Sequence, residues 1–293
     1  MRRLALGMGI LLLAAVPAMA EEPLRVICIE AHPDDCDSKF GGTAALYAAA
    51  GHAVKIVSLT NGDAGHQEQG GGALAMRRRA EGKEAGRRIG AEYEVLDNHD
   101  GELLPTLEVR RQVIRAIREW KADVVFSLRP NDYHPDHRYS GVLVMDAAYM
   151  VTVPNVVSDV PSLRKNPVFF YMADRFTKPT PHRADVVVAI DSVIDKKIDM
   201  LDAHESQMYE WLAWHAGVLD QIPEDPAARK QWLREWRLGE PADMKPEWRE
   251  SLRRWYGAAA EGVQHAEAFE LAEYGSQPDA EALRRLFPFV PQS

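Results

Sequence analysis

From Leu24 to about Ala203 the chain alternates short apolar, β-branched runs with longer stretches in which apolar residues recur at helical spacing. Runs of this kind bounded by turn formers read as buried strands, here at 24–30, 53–60, 92–97, 123–128, 167–172 and 184–190. Between them, 39–50, 73–89, 106–120, 138–149 and 192–203 read as helices, with Gly51 and Gly90 where helix ends are expected and Asp191 or Ser192 placed to cap the last one. Strands that alternate with helices bury a sheet between two helical layers. The expected core, over 21–203, is an α/β Rossmann-like three-layer sandwich with a mostly parallel sheet.

After Ala203 the strand signal stops, and 204–293 is rich in tryptophan and charge. Trp211, Trp214, Trp232, Trp236, Trp248 and Trp255 fall in helix-like stretches interrupted at Pro223, Pro226, Pro241 and Pro246. This predicts a helical C-terminal extension packed on the core. Trp232 and Trp236, four apart, share a helix face; packing is the usual reason for such a pair, and an aromatic platform for a sugar ring is the sharper one.

The first twenty residues change the setting. Arg2 and Arg3 precede an apolar run from Leu4 to Val16, and Ala18-Met19-Ala20 supplies small residues at a cleavage site, the pattern of a secretory signal removed near Ala20. The run is too short for an ordinary membrane span and none like it follows, so no stable membrane anchor is expected, and the product is expected in the periplasm or outside the cell. Losing those two arginines takes the formal charge from −9 to −11, which argues against a nucleic-acid partner. The two cysteines, Cys28 and Cys36, allow one structural disulfide in an oxidising compartment.

Two segments carry the candidate chemistry. Ala31-His32-Pro33-Asp34-Asp35 follows the first strand, and His134-Pro135-Asp136-His137 follows the fourth after a short loop. In an open α/β sheet ligands collect at the carboxyl ends of strands. A catalytic zinc takes three protein ligands and keeps one position for water. His32 and Asp35, three apart in a strand-to-helix turn, can converge on one ion, and His137 can complete a facial set of three. Asp34, left free, is then the candidate general base. Taken singly, each residue also reads as a cap or a turn former; the recurrence at one end of the sheet favours the metal site. The glycine-rich stretch 62–72 lacks phosphate-loop spacing and reads as a mobile active-site loop, and a serine nucleophile elbow is missing.

Ala31-His32-Pro33-Asp34-Asp35-Cys36-Asp37, Gly41-Gly42-Thr43, Thr60-Asn61-Gly62-Asp63-Ala64-Gly65 and His134-Pro135-Asp136-His137 together resemble the PIG-L/LmbE-like family of zinc-dependent N-deacetylases, over roughly 24–210. The resemblance implies Zn²⁺ on His32, Asp35 and His137, Asp34 as general base and His134 stabilising the oxyanion. It further implies Arg78 as a substrate-binding arginine, Asp100 as a carboxylate for sugar hydroxyls, and His204 as a recurring position that lines the cleft or is structural. Two departures stand out: Asp37 where the family usually has Glu, and Asp132 where it often has Tyr, with Tyr133 beside it.

The expected function is therefore a secreted zinc-dependent hydrolase that removes an N-acyl group, foremost acetyl, from a small amino sugar or glycoconjugate. Two other readings compete: a carbohydrate-binding protein that lost turnover, which the intact Asp34 argues against, and a metal-dependent esterase on the same site.

Overall fold

A computed structural model describes residues 22–238 and 244–291. The expected signal segment and Pro241 lie outside the described residues. The alternation of the core is realised as β1 (Arg25–Glu30), α1 (Asp35–Ala49), β2 (Ala53–Thr60), α2 (Gly71–Ile89), β3 (Glu92–Asn98), α3 (Leu107–Trp120), β4 (Val124–Ser127), α4 (Pro135–Met150), β5 (Val168–Met172), β6 (Val186–Ala189) and α5 (Ile194–Ala203). Three helices, α1, α2 and α4, start earlier than their apolar pattern predicts. Pro135 fits the first helical position of α4, where a missing N–H costs nothing, and His134 caps that helix by accepting the Asp136 N–H through its side chain. As a result Asp35 and His137 both sit in the first turn of a helix that leaves the end of a strand.

The C-terminal extension is helical over most of its length, as expected, and it also contains a strand that the sequence did not signal. A π-helix (Ser206–Trp211) and α6 (Leu212–Ala216) follow α5, then α7 (Pro226–Leu238) and α8 (Pro246–Tyr256), but a ten-residue strand, β7 (Ala266–Gly275), comes next, before α9 (Ala280–Leu286). Pro226 and Pro246 begin helices rather than break them. The seven-stranded sheet has the order β3-β2-β1-β4-β5-β7-β6, with β7 antiparallel to both its neighbours and the pairs β1–β2, β1–β4, β2–β3 and β4–β5 parallel. Residues 266–275 are rich in Ala and Glu, which favour helix; tertiary pairing on both edges overrides that preference.

One sheet face carries α1, α2 and α5, which pack on one another, and the opposite face carries α3 and α4. Phe40, Phe126, Phe170, Phe269 and Phe287 share a core cluster on the first face, with Phe126 stacked on Phe170 at 5.3 Å and meeting Phe269 edge-on at 4.8 Å. Such pairs contribute about 0.5–1.5 kcal/mol each beyond area burial, and two of these rings come from the C-terminal segment. Glu267 of β7, buried, takes Lys197 at 2.7 Å and the N–H groups of Gly42 and Thr43 at 3.0 and 2.8 Å. At Gly42 a Cβ would fall 2.8 Å from Ile190, so only glycine lets α1 approach this closely. Cys28 and Cys36 form a disulfide that ties β1 to the first turn of α1. Among the described residues, no helix is long and apolar enough to cross a membrane.

Candidate metal centre

The parallel sheet reverses its winding between β1 and β4, the point at which open α/β sheets leave a crevice for ligands. Both His-Pro-Asp segments leave the sheet there. Asp34, in the first of them, holds φ at 126°, a conformation that costs a non-glycine residue on the order of 1–3 kcal/mol and that clusters at functional sites. Its neighbours pin it. The Asp34 N–H donates to the Tyr93 hydroxyl at 3.1 Å, that hydroxyl donates to Asp37 Oδ2 at 3.0 Å, and Arg78 donates to Asp34 Oδ1 at 3.1 Å and to the Pro33 carbonyl at 2.9 Å. Asp37 thus braces the turn through Tyr93. Gly62, at φ +72°, makes room for the Arg78 guanidinium, which a Cβ there would meet at 2.6 Å.

Three donors converge beside this turn. His32 Nδ1 lies 3.2 Å from His137 Nε2, and Asp35 Oδ2 lies 3.3 Å from each of those nitrogens. A tetrahedral zinc with bonds of about 2.0–2.1 Å sets its ligand atoms about 3.3 Å apart. The donors therefore form one face of such a tetrahedron, and the residues fit the zinc that the resemblance implies. A second cluster, His32, His134 and His137, also brings donor atoms within 4.8 Å of one another. We favour the first set because its three separations match the coordination geometry and because His134 Nδ1 is engaged with the Asp136 N–H at 3.2 Å.

The remaining imidazole nitrogens are held by carboxylates, as ligating histidines require. His32 Nε2 lies 3.0 Å from Asp100 Oδ1 and 3.3 Å from Asp136 Oδ2, and His137 Nδ1 lies 3.0 Å from Asp132 Oδ1. Asp136, completely buried, also accepts the Gly101 N–H at 2.7 Å and the Leu103 N–H at 3.2 Å, which docks the 99–103 loop on the site. Asp132, a departure from the family pattern, has a definite place: it orients His137.

The electrostatics separate the two adjacent aspartates. Burial pushes Asp34 up to about 6, offset in part by Arg78 and reinforced by Asp35. Asp35 goes well below the usual range: burial opposes ionisation, but His137 and His32 outweigh it. Burial lowers His137, yet the Asp35 charge and hydrogen bonds to Asp132 and Asp35 raise it to about 9. His134 is lowered by burial and by the His32 and His137 charges, which keeps it neutral. With Nδ1 accepting a backbone N–H, the neutral ring carries its proton on Nε2. Beneath the site Glu30 is fully buried with neither carboxylate oxygen hydrogen-bonded among the described residues, and burial followed by the Asp35 charge raises its pKa well above the usual value.

A cavity of about 430 Å³ opens onto these groups, and His32, Asp34, Asp35, His134 and His137 all line it. Arg78 and Asp100 line it too, although both also hold site residues in place. His204 does not. It is completely buried, 3.2 Å from Asp37 Oδ1 and packed against Tyr93, so of the two readings, cleft lining and structure, its placement is the structural one, beside Asp37. The glycine-rich loop contributes Ala64 and Gly65 to the cavity and is tied down at Gly62 by Arg78, at Gly65 by Gln207 and at His66 by Glu210. Sequence reasoning missed Tyr93, the docking role of Asp136 and the cavity wall from Gln207, Trp211, Leu212 and His215. Only the tryptophan carried a signal.

A family model described as PIG-L, GlcNAc-PI de-N-acetylase, matches residues 27–148. Over 203 residues the chain is 32% identical to the diacetylchitobiose deacetylase of Thermococcus kodakarensis, an alignment covering 65% of this chain and 73% of that protein. The chain belongs to the PIG-L/LmbE-like family of N-deacetylases. As a member it is a metal-dependent amide hydrolase. Among solved structures, the N,N'-diacetylchitobiose deacetylase of Pyrococcus horikoshii is similar at a TM-score of 0.61 and 26% identity, over 84% of this chain and 83% of that one. The 4-carboxy-2-hydroxymuconate hydratase of Pseudomonas putida aligns at a TM-score of 0.64 and 19% identity, over 87% and 99%. That second likeness is one of fold, which hosts more than one chemistry.

Proposed function

We propose that this PIG-L/LmbE-like protein is an exported, zinc-dependent deacetylase that releases acetate from an N-acetylated amino sugar or its conjugate. The observation that carries the reading is the triangle of His32 Nδ1, Asp35 Oδ2 and His137 Nε2, with edges of 3.2–3.3 Å, beside a strained and buried Asp34. The deacetylase relatives support the acyl group and the sugar class; the N-terminal leader pattern supports export.

His32, Asp35 and His137 would hold the ion, whose Lewis acidity lowers the pKa of water at the open position and polarises an amide carbonyl. Asp34, with a pKa near 6, is ionised at neutral pH yet basic enough to accept the water proton. Arg78 keeps the Asp34 carboxylate oriented, and the Tyr93 hydroxyl holds its backbone. His134 offers Nε2–H to the carbonyl oxygen as that oxygen gains negative charge, the donor placement that stabilises acyl-transfer transition states. Asp34 then returns the proton to the departing amine, so that acetate and a free amino sugar leave.

The test is acetate release from N-acetylglucosamine and its oligosaccharides by zinc-loaded protein, alongside O-acetylated sugars. Amide cleavage abolished by chelation and restored by zinc supports the proposal. Cleavage of the esters alone would replace it with an esterase.

A further inference from the structure

The tryptophans of the C-terminal segment divide into two groups. Trp232, Trp236, Trp248 and Trp255 join hydrophobic clusters of the interior. Trp211 and Trp214 join none of the clusters among the described residues. Trp211 lines the cavity, Trp214 is 50% exposed, and the rings stack with centroids 5.5 Å apart and planes 20° from parallel. His215, also a lining residue, lies 5.5 Å from Trp211. A half-exposed tryptophan costs hydrophobic free energy that packing would recover, as the other four rings do, so the pair calls for an occupant.

The backbone that carries the pair is fixed. Trp211 ends the π-helix Ser206–Trp211, a rare form that recurs at functional sites. Ser206 is anchored on Glu81 through both its N–H and its hydroxyl, at 2.9 and 2.6 Å. Gln207 donates to the Gly65 carbonyl at 3.0 Å, and Glu210 accepts from His66 and Arg77, each at 2.7 Å. These bonds tie the helix to α2 and to the glycine-rich loop, so the rings meet a ligand with little ordering left to lose.

Resting on the deacetylase reading, we propose that Trp211 and Trp214 form a stacking subsite for the sugar ring linked to the one that is deacetylated, so that the preferred substrate is an N-acetylated oligosaccharide rather than a free monosaccharide. The apolar C–H face of a pyranose suits an indole face. Trp211 joins the subsite to the catalytic cavity that it lines, whose volume of about 430 Å³ falls among those that enclose whole small molecules, roughly 300–1,000 Å³.

The experiment compares kcat/KM for N-acetylglucosamine, N,N'-diacetylchitobiose and an N-acetylglucosamine carrying an alkyl chain, using the full zinc-loaded enzyme and Trp214→Ala, Trp214→Phe and Trp211→Phe, with thermal melts to confirm folding. Loss of one stacked ring is expected to cut kcat/KM for the disaccharide roughly 5–10-fold, mainly through KM, to cut the monosaccharide value far less, and to be partly rescued in Trp214→Phe. Tryptophan fluorescence of Asp34→Asn titrated with the disaccharide is expected to change saturably, a reading independent of turnover. Equal losses for both sugars, or a greater loss for the alkyl glycoside, would overturn the sugar subsite while leaving the deacetylase reading intact. Release of acetate from none of the three by the parent enzyme would overturn both.

Discussion

The turn at 30–37 and the C-terminal segment from 204 onward reach the same cavity by different physics. In the turn, Glu30, His32, Asp34 and Asp37 are all buried, and the backbone at Asp34 is held in a conformation that few side chains tolerate. Polar partners impose that cost: Tyr93, Arg78 and the carboxylates behind each histidine. In the C-terminal segment the π-helix is held by polar bonds, to α2 and the glycine-rich loop; beyond it the anchoring is mainly apolar, with Phe269 and Phe287 completing the aromatic core and β7 wedged between β5 and β6. Chemistry thus sits where local geometry is expensive, on a sheet that a distant part of the chain completes.

The largest effect should come from breaking the second region. Ending the chain after Gly217 removes β7, leaves β6 without a neighbour and strips Phe269 and Phe287 from the core, so the whole stability of the domain, about 5–15 kcal/mol, is at stake. The truncated chain should be insoluble or lack a cooperative thermal transition by circular dichroism; a folded, metal-loaded product would show that the segment is an appendage after all. Breaking the first region leaves the fold intact. Asp34→Asn should lower kcat by about 10²–10⁴-fold with metal retained, since an amide cannot take the water proton. Normal turnover in that variant would move the base elsewhere.

A titration sharpens the contrast. In the metal-free protein His137 is raised to about 9 by Asp35 and Asp132 against the opposing pull of burial, so at neutral pH an incoming cation must displace its proton. His32, which burial lowers but hydrogen bonds to Asp100, Asp136 and Asp35 raise well above its usual value, must lose its proton as well, so metal affinity should climb by at least about tenfold per pH unit from neutral pH to about pH 9. The stability that protonated His137 lends the metal-free protein is present below 6.5 and lost as pH rises through about 9. Affinity independent of pH over this window, measured with a competing chelator, would remove His137 from the ligand set. The smallest effect is expected from Tyr93→Phe, which leaves the Asp34 N–H and Asp37 Oδ2 short of a partner and should cost about 1–3 kcal/mol in urea unfolding, with a modest fall in kcat as the turn loosens. No change in either would mean that Asp37 braces the turn by another route.

Much of the α/β core was legible because its signals are local: β-branched runs bounded by glycine and proline place β1 to β6 within a residue or two of the strands found. β7 was hidden because Glu267, Glu270 and Glu273 recur every three residues among alanines, a helical spacing, while the pairing that makes it a strand comes from residues a hundred positions away. At the site, the residues that converge are those the two His-Pro-Asp segments named, since spacing within a strand-to-helix turn constrains side chains closely. Their supports were not legible. Tyr93 lies on another strand, and Asp132 read as a departure from the family pattern until its contact with His137 was seen. His204 reads the same in sequence whether it faces the cavity or, as here, the interior.

The zinc content of three purified proteins tests the central claim most directly. His32, Asp35 and His137 as the complete protein ligand set, with Asp34 beside them and unbound, predicts about one zinc per chain in the parent, close to none in Asp35→Ala and about one in Asp34→Asn. Zinc retained by Asp35→Ala, or lost from Asp34→Asn, would contradict the account.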